Sequence, residues 1–341
     1  MTNAKPRATM KDVAALSGVS LKTVSRVVNE ESPVSDDLRT RVLKAIDQLD
    51  YRHNWAASNL RRRVGRARVL GVLLQDLANS FSSGLLRALE DACHERGIAL
   101  LAASLDEEPD RERLLVADLV SRRVDGLVLM PATEQQRYLE AELRAGLPTV
   151  FVDRRPRGVD ADSVTVDNLA GGYDAARHLL QHGHRRIAVL SDLLTITTAQ
   201  HRIEGVHRAM REASVEPDPA LVRTDIRTSE DAELILADLL AGEDPPTGVI
   251  ALRNILSIGT LRAVRYAGAS GRVAVVGFDD FPTAELMDLT VIRQDVAQLG
   301  ARAAELVLGR LDGEDSPPQH VVVPHTLIER GSGEIAPPAR H

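Results

Sequence analysis

The strongest constraint on the fold is a pair of short helical patterns joined by Gly18. The first pattern begins at Thr9, which can cap a helix, with Asp12 three residues later in the position of a capping box. Gly18 allows the turn that ends this helix, and Ser20 can cap the second one. Two helices joined in this way predict a helix-turn-helix, a motif that binds DNA.

The two helices are predicted to have separate apolar and polar sides. The inward-facing residues are Val13, Ala14 and Leu16 on the first helix and Val24, Val27 and Val28 on the second. The outward-facing residues near the start of the second helix are Leu21, Lys22, Ser25 and Arg26. A recognition helix contacts base edges with this part of its surface, so this face is the predicted DNA-reading surface.

The charge of the chain is divided by position. The formal net charge is -7, yet residues 1–68 contain 14 Lys+Arg and 7 Asp+Glu, whereas the remaining residues contain 28 and 42. A positive amino-terminal part is attracted to phosphates, and a negative remainder is repelled by them. The distribution supports a DNA-binding head on an acidic body.

A third helix and a basic segment follow the motif. The third pattern begins after Ser35 and completes a domain assigned to residues 1–53. Residues 54–65 contain Leu60 followed by three arginines. One interpretation is a hinge helix that folds in a minor groove with Leu60 between base steps; the other is a solvated basic linker.

Residues 66–341 alternate apolar runs with helical patterns, which predicts parallel sheets covered by helices on both faces. The length of this part of the chain predicts two lobes. The first consists of residues 66–166 and 294–324, and the second consists of residues 167–293 and 325–336. The predicted strands are Val69–Leu74, Ile98–Ala103, Gly126–Met130, Thr149–Val152, Ile187–Leu190, Val249–Ala251 and Val273–Val276.

Polar residues recur where these strands end, which is where parallel sheets bind ligands. They are Gln75, Asp76, Asp153, Asp192, Asp279 and Asp280. One interpretation is a ligand cleft between the lobes, and the other is that each aspartate caps the helix that follows it.

Several other classes of protein are disfavoured. The single cysteine, Cys93, fits a reducing compartment, and neither an apolar leader nor an apolar run of membrane-spanning length is present, so we expect a cytoplasmic protein. The chain lacks the glycine-rich phosphate loops and the nucleophile elbow of common enzymes, so neither catalysis nor a cofactor is expected. His178 and His182 have no neighbouring acid in sequence, so no metal site is expected.

These patterns together resemble the LacI/GalR family of lactose/galactose repressors over essentially the whole chain. The resemblance rests on T-M-K-D-V-A from Thr9, V-S-L-K-T-V-S-R-V-V-N from Val19, R-R-V-D-G from Arg122, G-H-R-R-I from Gly183 and V-V-G-F-D-D from Val275. It implies a dimeric transcription factor, most often a repressor, with a body similar to periplasmic sugar-binding proteins. It also implies a palindromic operator, a sugar-like effector and allosteric control.

The resemblance assigns roles to individual residues. Leu21, Lys22 and Arg26 would read bases, and Leu60 would intercalate at the centre of the operator. The full predicted DNA-binding set is Thr9, Ser20, Leu21, Lys22, Thr23, Ser25, Arg26, Asn29, Tyr51, Asn54, Ala57, Leu60 and Arg61. The predicted effector-binding set is Gln75, Asn79, Phe81, Asp153, Arg202, Arg253 and Asp279.

Two departures from the family pattern affect the effector site. Leu252-Arg253-Asn254 replaces the common Ala-Asn-Asp, which gives the hypothesis of an effector with an anionic group held by Arg253 and Arg202. The competing interpretation is that Arg253 pairs with Asp279. The second departure is the absence of a proline after Asn79, which leaves the backbone there undetermined.

Two rival functions remain beside the regulator: an enzyme on the same α/β body, and a sugar-binding protein without operator control. The absence of the common catalytic motifs disfavours the enzyme, and the basic head and the missing apolar leader disfavour the sugar-binding protein.

Overall fold

The computed structural model describes residues 8–28, 34–51 and 67–339. Within it the chain divides into two units, with the boundary between Ala67 and Arg68. The smaller unit is a helical head and the larger is an α/β body.

The head contains α1 (Met10–Ser17), α2 (Leu21–Val28) and α3 (Asp36–Gln48). Its fully or nearly fully buried core consists of Val13, Val24, Val27, Val42 and Ala45. The predicted inward face of α2 is thus confirmed for its first two valines, and Val28 is half-buried against the same core.

The turn between α1 and α2 has the predicted construction. Thr9 and Asp12 form the capping box, and Gly18 ends α1 in the left-handed conformation with φ 67°. Arg41 of α3 donates to the carbonyl of Ser17 at 2.7 Å, which fixes α3 against the end of α1. One prediction was wrong: Leu16 is 50% exposed, because the short helix turns it away from the core formed around Val13.

The first sheet of the body has the strand order β11-β5-β4-β3-β1-β2, and all its pairs are parallel. Its strands are β1 (Val69–Leu74), β2 (Ala99–Ser104), β3 (Gly126–Leu129), β4 (Thr149–Val152), β5 (Asp162–Val166) and β11 (His320–Val323). Its helices are α4 (Ser80–His94), α5 (Pro109–Ser121), α6 (Glu140–Arg144) and α11 (Val296–Leu311).

The second sheet has the order β12-β10-β9-β8-β6-β7, parallel except for the antiparallel pair of β10 and β12. Its strands are β6 (Ile187–Leu190), β7 (Val222–Arg223), β8 (Gly248–Ala251), β9 (Ala274–Phe278), β10 (Thr290–Gln294) and β12 (His325–Ile328). Its helices are α7 (Asn168–Gln181), α8 (Thr197–Glu212), α9 (Ser229–Ala241) and α10 (Asn254–Tyr266). The predicted two-lobed parallel architecture is confirmed.

The chain passes between the two sheets three times: after β5, after β10, and between β11 and β12. Each passage takes only one or two residues, so the lobes are joined by three short connections. Such connections allow a hinge motion of the lobes while keeping them side by side.

Two glycines determine how closely α7 and α8 approach. A Cβ on Gly172 would lie 2.0 Å from the carbonyl oxygen of Arg202, and one on Gly205 would lie 2.0 Å from that of Leu169. Only glycine fits at either position, because backbone atoms of the facing helix occupy the space. This contact sets the position of the segment of α8 that carries Arg202.

Candidate functional site

The outward face of α2 carries the residues that were predicted to read DNA. Ser20 accepts from the amide of Thr23 at 3.1 Å, and the two hydroxyls are 2.9 Å apart, so both side chains stabilise the start of α2. Leu21 is 41% exposed and Lys22 is also exposed. Ser25 and Arg26 are half-buried on the same helix.

The other predicted DNA-binding residues divide into two groups. Thr9 is engaged in the capping box, with its hydroxyl 2.7 Å from Asp12, and Tyr51 packs against the head core. Asn29, Asn54, Ala57, Leu60 and Arg61 lie outside the described residues.

All seven predicted effector-binding residues line one cavity between the lobes, with a volume of about 40 Å³. We call it the inner cavity. Its wall is completed by Met130, Arg154, Asp192, Ile196, Thr198, Ala199, Leu252, Asn254 and Gln294.

Arg202 is held rigidly on one side of the inner cavity. Its Nε donates to Asn168 at 2.7 Å, its Nη1 donates to the carbonyl of Leu252 at 2.8 Å, and its guanidinium lies 3.8 Å from the centre of the Phe278 ring. Burial lowers the pKa of Arg202, and the carboxylates of Asp279 and Asp153 oppose this shift. The side chain is therefore a fixed donor inside the cleft.

Arg253 forms an ion pair with Asp192, at 2.6 Å, and both side chains are mostly buried. The prediction that Arg253 pairs with Asp279 was wrong. Arg253 lies just before α10 in an extended conformation, and its side chain therefore reaches Asp192 near the end of β6. Its charge is therefore largely neutralised, which removes the first of the two cations in the anion hypothesis.

Asp153 and Asp279 occupy equivalent positions at the ends of β4 and β9. Both have left-handed backbones, with φ of 66° and 70°, which few non-glycine residues adopt. Gln294 donates to Asp279 at 2.5 Å. Burial raises the pKa of Asp153, while the nearby Arg154 and Arg202 act against it. Each lobe thus contributes one of these two carboxylates to the cavity wall.

Asn79 and Asn254 join the two lobes directly. Each side-chain amide donates to the other's carbonyl oxygen, at 3.0 Å and 2.9 Å, and Asn254 also donates to the hydroxyl of Ser80 at 3.2 Å. Asn79 also caps α4 by accepting from the amide of Phe81. The backbone without the family's proline therefore forms an ordinary helix start.

Gln75 and Phe81 form the remaining first-lobe wall, and both are half-buried. Phe81 packs against the core of the first lobe. The backbone carbonyl of Gln75 accepts a hydrogen bond from the backbone amide of Asp106 at 2.8 Å.

Sequence reasoning omitted five polar lining residues from the predicted set, and one of them is Thr198. Asp192 and Arg154 follow strands directly, so the strand-end signal was available for both. Asn254 and Gln294 gave no such signal, because their roles depend on contacts between distant segments. Arg154 is fixed by a two-point ion pair with Glu107, with distances of 2.6 and 2.7 Å.

Two of the strand-end aspartates contact other protein groups, and neither caps the helix that follows it, because the N-caps there are Asn79 and Ala284. Asp76 accepts from the amide of Ala78 at 2.9 Å, and Asp280 forms a two-point ion pair with Arg330 at 2.8 Å. Neither lines the inner cavity.

His178 and His182 of the second lobe contact protein groups. His178 is 2.6 Å from Glu334, and the ring of His182 packs at 4.6 Å from that of His178. Among the described residues, no cluster of His, Cys, Asp and Glu is suited to a metal ion. No described helix has the length and apolar character needed to cross a membrane.

Comparison with protein-family models gives two matches. Residues 9–54 match bacterial regulatory proteins of the lacI family, and residues 176–333 match a periplasmic binding protein-like domain.

Known proteins are similar over nearly the whole chain. The HTH-type transcriptional repressor PurR of Mannheimia succiniciproducens is 31% identical, covering 96% of this chain and 100% of the relative. The ribose operon repressor of Escherichia coli K12 is 32% identical, covering 95% of this chain and 99% of the relative. The crystal structure of the Lac repressor dimer bound to operator and the anti-inducer ONPF superposes with a TM-score of 0.85 at 25% identity, covering 97% and 100%.

Proposed function

Because this chain belongs to the lacI family of bacterial regulatory proteins, we propose that it is a transcriptional repressor that binds a palindromic operator as a homodimer. DNA binding and transcriptional regulation, rather than catalysis, are the activities of this family. We assign residues 1–53 to DNA binding, 54–65 to the hinge and 66–341 to effector binding and dimerisation. The protein would act in the cytoplasm, where bacterial DNA is found.

The exposed start of α2 carries the proposal for DNA. Leu21 and Lys22 are exposed at the amino-terminal end of a helix whose other side is fixed in the core by Val24 and Val27. The guanidinium group of Arg26 can donate two hydrogen bonds to guanine, which favours guanine over the other bases by about 1–3 kcal/mol. The Lac repressor, the structural neighbour, is a dimer on its operator, which supports the same assembly here.

The inner cavity supports a sugar or sugar derivative as effector. Asp153 and Asp279 offer carboxylate acceptors, while Arg202 offers fixed donors, and this combination suits adjacent hydroxyl groups. A relative named as a ribose operon repressor is consistent with such a ligand.

The lobes provide the allosteric element. A ligand that contacts both lobes closes or rotates them relative to each other and thereby changes the separation of the two hinges in the dimer. A coupling of about 1–3 kcal/mol between effector and operator is sufficient. In this mechanism Leu60 enters the DNA only when its hinge is ordered.

The test is operator binding by the full chain. Oligonucleotides selected from a random pool should contain an inverted repeat, and fluorescence anisotropy should show preference over a scrambled duplex. Arg26→Ala should weaken binding to the selected site by about 1–3 kcal/mol and leave scrambled DNA nearly unaffected. Lys44→Ala, on an exposed part of α3, is the matched control and should show no loss of preference. A parent protein without any sequence preference would contradict the proposal.

A further inference from the structure

The inner cavity is poorly suited to hold an anionic group. Its volume of about 40 Å³ admits a few water molecules in the closed arrangement. Arg253 is paired with Asp192 and Arg154 with Glu107, and the carboxylates of Asp153 and Asp279 line the same cavity as Arg202. An anionic part of a ligand would therefore have to lie farther out in the cleft.

A larger cavity of about 470 Å³ adjoins the inner one and shares Asp153, Arg154 and Thr198 with it. We call it the outer cleft. Its wall includes Arg155 and Arg157 from the first lobe and Thr197 from the second.

Among the described residues, the side chains of Arg155 and Arg157 have no ion-pair partner, and both are exposed. In the described part of the chain, the ion pairs of this loop are made by Arg154, to Glu107 and Asp153. The amide of Arg157 donates to the Gln136 side chain at 2.7 Å, and its carbonyl accepts from the Gln136 amide at 2.9 Å. The loop is therefore held in place while its two exposed guanidinium groups stay available.

The start of α8 faces the same space. Its N-cap, Ile196, has no side-chain acceptor, and its first turn contains no acidic residue. Thr198 is 7% exposed, its hydroxyl has no hydrogen-bond partner among the described residues, and it lines both cavities. A buried hydroxyl and free amides at the start of a 16-residue helix are suited to an anion.

Carboxylates are also present in the outer cleft. Asp167 is occupied as the N-cap of α7, where it accepts from Ala170 at 2.9 Å, and Glu204 is exposed on α8. Asp153 lies at the border with the inner cavity and faces Arg154 and Arg202. Of these three carboxylates, Asp167 is thus engaged by a backbone amide and Asp153 is opposed by two arginines.

We propose that the outer cleft is an anion subsite, formed by Arg155, Arg157 and the start of α8, that takes the phosphate or carboxylate group of the effector. The proposal rests on the proposed function for the sugar end of that ligand, which would lie in the inner cavity. The effector class is then a sugar phosphate or sugar acid, with its anionic group toward the mouth of the cleft.

The test uses inorganic phosphate as the probe and the full chain. At constant ionic strength, replacing chloride by phosphate should raise the melting temperature of the parent protein. Arg155→Gln combined with Arg157→Gln should weaken phosphate binding by about tenfold or more, because charge-assisted bonds are lost. Thr198→Val should weaken it by a smaller factor.

The matched control is Arg211→Gln combined with Arg265→Gln, which removes two exposed arginines from the ends of α8 and α10. This control should retain the parent's response to phosphate. Equal responses from the two double variants, or no response from the parent, would overturn the anion subsite. Operator binding is measured separately on the same samples, so a failure of the repressor assignment would be recognised independently.

Discussion

Asn79 and Asn254, separated by 175 positions in the chain, exchange two side-chain hydrogen bonds across the cleft at 3.0 Å and 2.9 Å. They form a direct polar link between the lobes beside the inner cavity. We therefore expect this pair to stabilise the closed arrangement even without a ligand.

Replacing Asn79 by serine tests this role while keeping a residue that can cap α4. Asn79→Ser should remove both bonds and cost the closed arrangement about 1–3 kcal/mol. Small-angle X-ray scattering of the ligand-free protein should show a larger radius of gyration. Ser80→Ala removes only the 3.2 Å bond to Asn254 and should change the scattering little. Identical scattering from the parent and Asn79→Ser would contradict the role of the pair.

Arg253→Gln should destabilise the body, because it leaves the largely buried Asp192 without its partner. The expected loss in the free energy of unfolding is up to about 3–5 kcal/mol, as for other broken buried ion pairs. Denaturant unfolding measures it. The double variant with Asp192→Asn added should regain a large part of the lost free energy of unfolding. If the losses of the two single variants instead add up in the double variant, the two residues are not coupled.

Asp153→Asn should stabilise the ligand-free protein near neutral pH. Because burial raises the folded-state pKa of Asp153 above 3.8, the native state binds more protons between the two pKa values, and stability falls as pH rises through that range. Asparagine removes this loss and tolerates the left-handed backbone. Melting temperatures from acid to neutral pH should therefore decline less in the variant.

The control for this pH profile is Asp288→Asn, the same change at an exposed residue that is also left-handed, with φ 50°. It should follow the parent profile. A stabilisation by Asp153→Asn that is the same at every pH would argue against burial of the carboxylate as the cause.

Gly172→Ala should displace α8 and with it Arg202. The added methyl meets the carbonyl of Arg202 at 2.0 Å, and overpacking of this kind typically costs about 1–3 kcal/mol or more. Gly84→Ala is the control, since its methyl meets only a side-chain carbon of Val296 at 3.0 Å and alanine favours a helix. Thermal unfolding should separate the two variants clearly, and equal melting temperatures would contradict the close helix contact.

The sequence predicted the parts of the fold that local patterns specify. Capping at Thr9, the turn at Gly18 and all seven apolar strands appear in the structure, because each depends on a few consecutive residues. The strand β5, Asp162–Val166, was missed because alternating polar residues gave it the appearance of a loop, although all five residues are buried.

The cleft was predictable only in part. The resemblance to a known family brought seven residues to one cavity, and strand ends indicated where the cavity would lie. The partner of Arg253 and the bond between Asn79 and Asn254 depend on how separate strands and lobes meet. No periodic signal in the chain encodes such long-range contacts.

The small volume of the inner cavity has a kinetic consequence. The inner cavity leaves too little room for a sugar ring, so a molecule arriving from solution can bind there only after the lobes separate. In a stopped-flow experiment the observed rate of effector binding should therefore reach a plateau at high effector concentration. The plateau equals the rate at which the lobes open and the hydrogen bonds between Asn79 and Asn254 break.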